Sequence, residues 1–377
     1  MFFLLQTPPT QVMPAPVWDV PFTMEGYLIV VEGKVNGKAA KLILDTGAGV
    51  GLYTPKSAEK LGLPILGQAM VGGGGEKMVP AKFTNARIEL GGAVQEKQLG
   101  VILELPSGAK ADFDGIVGYP FLKNYVVQID YAAKRVRFLD PKRFSPDPKA
   151  TQLPMTLRVN IPEIPGRIDG IAGSLRVDTG YSGTLTFTSP TVQKNELSKK
   201  YQKRIETVLG QGVGGVTIGE VTRIKALELG GFLVTDIVTG LSSDKTGALA
   251  DTGTIALLGG EVLSRFTVTL DYPGSRFFLA KNADFGKPFI FSRAGFSGVF
   301  EGDGYKVLTV VAGGPASAQG IVKDNIILML DDLPTKGLGL SKSREIFRQD
   351  AGTRVKARVR GSDGTVREVV LILKDVL

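Results

Sequence analysis

"KLILDTGAGVG", residues 41–51, ends an apolar run on an aspartate and follows it at once with Thr-Gly. A strand that stops on a carboxylate delivers it into a buried cleft, and a following glycine lets the backbone turn back without steric cost. The tripeptide returns twice, as Asp178-Thr179-Gly180 and as Asp251-Thr252-Gly253. Which of these is the equivalent of the first decides the architecture of the chain.

Internal repetition answers the question. "KLILDTGAGVGLYT" (41–54) matches "GSLRVDTGYSGTLTF" (173–187), and "MVGGGGEKMV" (70–79) matches "GQGVGGVTIG" (210–219). "ARIELGG" (86–92) matches "KALELGG" (225–231). "DGIVGYPFLKNYVVQIDYAAKRVRFL" (114–139) matches "IALLGGEVLSRFTVTLDYPGSRFFL" (255–279). The blocks keep one order and similar spacing, so residues 21–143 and 150–284 are two copies of one unit. Asp178 follows Leu175 and Val177 in register with Leu42 and Leu44 before Asp45. Asp251 instead stands just ahead of the closing block, opposite "AKADFDG" (109–115), and reads as an ordinary turn.

Each copy consists of short runs of Val, Ile, Leu, Phe and Thr divided by glycines, the pattern of strands and turns. "YVVQIDY" (125–131) and "FTVTLDY" (266–272) alternate with period two. "SPTVQKNELSKKYQKRIETVL" (189–209), with Ser at its start and a charged outer face, predicts helix; "PKSAEKLGL" (55–63) is its shorter counterpart. Residues 140–154 are polar, broken by prolines, and read as the boundary.

Composition narrows the chemistry. Among 377 residues there is no Cys and no His, which excludes thiol nucleophiles, disulfides, Ser-His-Asp triads and His- or Cys-ligated zinc. Hydrolysis, if performed, falls to carboxylates, to Lys or to a Ser-Lys pair. The net charge is +8, but Lys and Arg are spread along the chain, so nucleic acid is not expected as a partner. No apolar run approaches the ~18 residues of a membrane span, so no transmembrane segment is expected. The opening "MFFLLQTPPTQVMPAP" (1–16) has a short apolar run, no basic residues and no small-residue cleavage site. As written it does not read as a signal peptide, and residues 1–20 are expected to be an extended lead-in.

Some glycine-rich stretches imitate nucleotide sites. Gly210-x-Gly212-x-x-Gly215 is a formal dinucleotide fingerprint, but strand-like "VTIGEVT" follows where a helix is required. "GGGGEKM" (72–78) lacks the Gly-Lys-Ser/Thr ending of a phosphate loop. "DKTGA" (244–248) is set aside as a phosphorylated-Asp motif because the chain has no membrane spans. No cofactor and no metal are expected.

Two buried carboxylates held within hydrogen-bonding distance cannot both ionise easily. The ionised one takes a proton from a water between them while the protonated one polarises a carbonyl, and no covalent intermediate is needed. A threonine hydroxyl beside each aspartate can bond across to the opposing loop and hold two lobes in register.

On these motifs each copy resembles a lobe of the retropepsin-like aspartic proteases: an apolar strand, Asp-Thr-Gly-Ala/Ser, a Gly-rich flap, then two apolar residues and Gly. The resemblance implies a mainly β fold of two tandem retropepsin-like β-barrel lobes forming a pepsin-like pseudo-dimer. It makes Asp45 and Asp178 the catalytic pair of an endopeptidase acting on peptides or proteins, with a monomeric catalytic unit. Thr46, Gly47, Ala48, Ile116, Val117 and Gly118 support the first aspartate; Thr179, Gly180, Leu257, Leu258 and Gly259 support the second. Gly72, Gly73, Gly74 and Gly75 form one flap; Gly212, Val213, Gly214 and Gly215 form the other. Tyr181 departs from the pattern, since Ala or Ser is usual there, and its ring either shapes a substrate pocket or crowds it. Neither lobe has a hydroxyl immediately after the glycine. Each aspartate therefore lacks one stabilising hydrogen bond, and activity is expected at mildly acidic to near-neutral pH. The resemblance suggests a bacterial, periplasmic or extracytoplasmic protein.

Residues 288–377 resemble a bacterial-type PDZ domain, through the Gly314-Pro315-Ala316…Gly320 turn, the apolar strand after it, a short helix and a hairpin around Ser362-Asp363-Gly364. Such a domain adds a peptide as an extra strand and captures its C-terminal carboxylate on loop amides. By position, Gly295, Phe296 and Ser297 form that loop; "GLGL" (337–340) is the other candidate, and the alternative is a domain that packs against the lobes and binds no peptide. Two alternatives stand beside the protease reading. One is a catalytically inactive double lobe whose PDZ domain makes it a peptide-binding or scaffold protein. The other is a pairing of equivalent lobes between chains.

Overall fold

The computed structural model describes residues 17–105 and 113–377. Most of the expected N-terminal lead-in and part of the "AKADFDG" loop lie outside the described residues. The chain is mainly β, as its composition and strand pattern imply, and the two repeats fold alike.

In the first repeat the strand Lys38–Leu44 runs parallel to Gly115–Val117, with Leu44 opposite Val117. Gly51–Tyr53 lies antiparallel on the other side of Gly115–Val117 and parallel to Ala93–Ile102. In the second repeat Ile171–Asp178 runs parallel to Ala256–Gly259, which is flanked by antiparallel Leu185–Phe187, itself parallel to Phe232–Leu241. The apolar-apolar-Gly strand is thus threaded between the two strands flanking each Asp-Thr-Gly turn. Leu42, Leu44, Val117, Leu175, Val177 and Leu258 are fully buried around the turns, fixing where the carboxylates emerge.

The alternating segments meet each other. Val126–Asp130 pairs antiparallel with Phe266–Asp271, Val127 opposite Leu270 and Ile129 opposite Val268, all fully buried. Each such side chain contributes about 1.5–3 kcal/mol relative to exposure. The lobes therefore share one sheet, extended by Arg135–Leu139 on one side and by Arg276–Lys281 on the other.

The first-lobe helix Pro55–Leu61 is capped as its sequence implies: Thr54 Oγ1 accepts from Ser57 N at 3.1 Å, and Gly62 ends it at φ +67°. The expected helix over 189–209 is shorter. Helical turns run Ser189–Lys194 and Leu197–Lys200, interrupted at Glu196 with φ +48°. Ile205–Gly212 is a strand, because pairing with Gly215–Leu229 (Val208 opposite Ile218) makes the second flap and overrides the local helical pattern.

The C-terminal unit has its own core, including Phe296, Val307, Ile327, Ile346 and Val359. Its sheet runs from the edge strand Phe296–Glu301 through Gly304–Val310, Ile326–Leu330 and Arg354–Arg360 to Val366–Ile372. The helix Gly339–Phe347 packs on this core through Ile346 and Phe347. Among the described residues no helix is long and apolar enough to cross a membrane.

Candidate active site

The two Asp-Thr-Gly turns interlock. Thr46 Oγ1 donates to Val177 O at 2.7 Å and Thr179 Oγ1 donates to Leu44 O at 2.7 Å. Each hydroxyl also accepts the opposite threonine's backbone N–H at 3.0 Å. Both threonines are fully buried, so each hydroxyl is satisfied only by the opposite lobe.

The glycines do something the sequence reading assigned to backbone freedom. A Cβ on Gly47 would lie 2.4 Å from the Asp178 carboxyl carbon, and one on Gly180 would lie 2.3 Å from that of Asp45. Each glycine vacates the space that the other lobe's carboxylate fills. Close approach, not left-handed backbone, is what requires glycine here. Asp45 Oδ1 accepts from Gly47 N at 2.7 Å; Asp178 Oδ1 accepts from Gly180 N at 2.8 Å and Tyr181 N at 2.9 Å.

These surroundings divide the pair. Burial, and then the neighbouring Asp178 charge, push the Asp45 carboxyl well up from its ordinary range, against the N–H groups of Gly47 and Gly180. Burial raises Asp178 too, but the hydrogen bond from Asp45, the N–H groups of Gly180 and Tyr181, and the Arg176 guanidinium hold that rise back. Of the two, Asp45 is the carboxyl pushed further from ionising and Asp178 the one held nearer to it.

Tyr181 does not crowd Asp178. Its ring turns towards Gly183 and Gly259, where a Cβ would meet it at 2.3 and 2.6 Å, and its hydroxyl bonds Thr186 Oγ1 at 2.8 Å. In the first lobe the corresponding space beside Gly118 is filled by Ala48. The glycine that ends each apolar-apolar-Gly strand, Gly118 or Gly259, therefore makes room for whatever follows Asp-Thr-Gly.

The two flaps meet as a roof. Gly214 N donates to Gly74 O at 2.7 Å and Lys77 N donates to Gly214 O at 3.2 Å. The "DKTGA" loop pins the first flap: Lys245 N and Thr246 Oγ1 donate to Glu76, and Ala248 N donates to Gly73 O. The formal dinucleotide fingerprint is this second flap, with strand on both sides of it. A Cβ on Gly212 would meet Gly74 backbone atoms at 2.6 to 2.8 Å. Gly212→Ala should therefore part the roof while leaving the core intact. The expected loss in kcat/KM on a peptide is on the order of 10²-fold with little change in Tm; unchanged kinetics would show that catalysis does not use this closed arrangement.

Sequence reading missed a charge cluster beneath Asp178. Arg176 stands where the first lobe has Ile43, and its Nη2 lies 2.6 Å from Asp251 Oδ2 and 3.5 Å from Glu163 Oε1. Arg158 bonds the same two carboxylates, and Ser174 donates to Glu163. Asp251 is thus more than an ordinary turn. Burial would raise it, but Arg158, the Gly253 N–H and Arg176 outweigh that and bring it down to about 2. The visible signal was one charged residue inside the apolar run "LRVD".

The C-terminal unit borders the cleft. A cavity of about 1690 Å³ reaches from the two aspartates and the flaps to the edge strand Phe296–Glu301 and the helix Gly339–Phe347. Arg348 pairs with both oxygens of the buried Glu261 at 2.9 and 3.0 Å. Arg344 donates to Ser182 O at 2.8 Å and Ser182 Oγ at 3.0 Å. Glu25 accepts from the amides of Leu340 and Ser341, so the "GLGL" stretch already holds a carboxylate from the first lobe. Of the loop residues Gly295, Phe296 and Ser297, the Ser297 hydroxyl accepts Val208 N of the second flap strand at 2.8 Å, and the Phe296 ring is in the core.

Residues 31–121 match a family model described as aspartyl protease. A search of curated proteins finds no match to the chain. Among solved structures, the aspartic proteinase from Irpex lacteus superposes with a TM-score of 0.50 at 14% identity, over 72% of this chain and 99% of that one. The chain is built on the aspartic proteinase fold.

Proposed function

We propose that the chain is a single-chain aspartic endopeptidase in which Asp45 and Asp178 act as one pair. The observation that carries this reading is the seating of each carboxylate in the space left by the other lobe's glycine, with the threonines cross-bonded beneath them. Asp178, the more readily ionised, takes the proton of a water between the carboxyls. As the water oxygen bonds the carbonyl carbon, Asp45 gives its proton to the carbonyl oxygen; Asp178 then passes its proton to the nitrogen as the C–N bond breaks, and a hydroxyl proton of the diol returns to Asp45. The roofing flaps exclude bulk water, which strengthens each of these interactions.

Both carboxyls are shifted upwards, so both limbs of the pH profile move up with them. The acid limb reports ionisation of Asp178 and the alkaline limb loss of the Asp45 proton. The expected optimum on a peptide substrate is mildly acidic to near-neutral. A strongly acidic optimum would contradict the assignment, and absence of cleavage for every peptide tested at any pH would favour an inactive scaffold.

Residues 288–377 fit a PDZ-like domain, with the edge strand Phe296–Glu301, beside the flap strand Ile205–Gly212, and the helix Gly339–Phe347 as the two sides of its groove. Because that groove opens on the same cavity as the aspartates, its role in this reading is to hold part of the substrate chain.

A further inference from the structure

The two corners of the cleft are not alike. Beside Gly49, in the first lobe, stands the carbonyl of Val159 with the Asn160 side chain next to it. Beside Ser182, the matching position of the second lobe, stands the guanidinium of Arg344, brought in by the C-terminal helix. One corner is neutral and the other carries a cation.

That cation is under-compensated. Ser182 uses two of its five N–H groups, and both acceptors are neutral. Tyr27 offers a ring 5.6 Å away, and the guanidinium lies close over Gly26, where a Cβ would come to 3.0 Å of Nη1. Of the carboxylates around it, Glu261 gives both oxygens to Arg348, and Glu25 accepts from the amides of Leu340 and Ser341 through Oε1. Burial, and then the repulsion of Arg348, lower the pKa of Arg344 and outweigh the attraction of Glu261. The side chain is half-buried and lines the cavity that holds the two aspartates. A half-buried guanidinium with N–H groups to spare at the edge of a cleft is built to receive a carboxylate, which it can bind through two parallel hydrogen bonds.

We propose that Arg344 is a specificity residue, recognising a carboxylate of the peptide in the cleft, either an acidic side chain or the chain's own C-terminus. The proposal rests on the proteolytic reading above. It assigns the C-terminal unit a direct share in substrate choice, supplied by a residue outside both lobes.

The test uses the full chain and matched peptides: Glu against Gln at each position along the sequence, and a free against an amidated C-terminus. Wild type should favour one carboxylate peptide over its amide twin by about 10- to 100-fold in kcat/KM, the size of a charged hydrogen bond. Arg344→Met should bring that ratio close to one, and Arg344→Lys should restore part of it. The Glu/Gln arm and the terminus arm identify which carboxylate is read. Equal cleavage of all twins by wild type, or a ratio that survives Arg344→Met, would overturn the proposal. Should wild type cleave nothing, the proteolytic reading fails by itself. Calorimetric binding of the same twins then decides the carboxylate claim by the same ratio, with no preference for either carboxylate counting against it.

Discussion

Asp45→Asn and Asp178→Asn should each abolish peptide cleavage, by on the order of 10⁴-fold or more, and each should leave the protein more stable than wild type at neutral pH. Catalysis needs one ionised and one protonated carboxyl, and an amide can be neither, so the two losses should be similar and should not add in the double variant. The stability gain follows from burial, which raises both carboxyls in the folded protein. A folded pKa above the unfolded one contributes stability that is fully present below the unfolded value, near 3.8, and is lost as pH rises through the folded value. At neutral pH wild type bears that loss and the asparagine variants do not. The expected gain is about 1 kcal/mol, read by chemical denaturation at pH 7, and it should vanish near pH 3. A variant that is inactive and equally stable at both pH values would show that burial does not raise the two carboxyls in the folded protein.

Arg176→Met should be the most damaging substitution away from the aspartates. Glu163 is 4% exposed and Asp251 is 19% exposed, and two guanidiniums, Arg176 and Arg158, balance their two charges, so losing Arg176 leaves one negative charge over. Removing one partner of a buried pair leaves an uncompensated charge and costs about 3–5 kcal/mol. Asp251, brought down to about 2, contributes stability that is present above its unfolded pKa and lost as pH falls through about 2. The deficit of Arg176→Met should therefore narrow as pH falls through that window. Because Arg176 also holds Asp178 down, the acid limb of any remaining activity should move to higher pH. A variant as stable as wild type would show that Arg158 alone suffices for both carboxylates.

What was legible in the sequence was the order of its repeats. The position of Asp178 in that order, against that of Asp251, was enough to choose between identical tripeptides, and the structure pairs Asp178 with Asp45. The glycine-rich flaps were legible for the same reason, as glycine runs between strand-forming residues. Less visible was why Gly47 and Gly180 are glycines, because their constraint comes from a carboxylate 131 to 135 positions away in the chain, as in the spacing of the cross-lobe threonine bonds. The strand Ile205–Gly212 was read as helix because its charge pattern continues that of Ser189–Lys200, and only pairing with Gly215–Leu229 decides otherwise. Arg344 and Arg348 read as ordinary charges on a helix. Their partners, Ser182 and Glu261, are distant in sequence, and a contact between separate units leaves no local pattern in either.

Titration of the full chain with a statine-type peptide, whose hydroxyl replaces the water between the carboxyls, tests the shared pair most directly. One inhibitor should bind per chain, in a chain that remains monomeric on gel filtration, and binding should be lost in Asp45→Asn and Asp178→Asn alike. One inhibitor per two chains, or tight binding that survives either substitution, would contradict a single site built from both lobes of one chain.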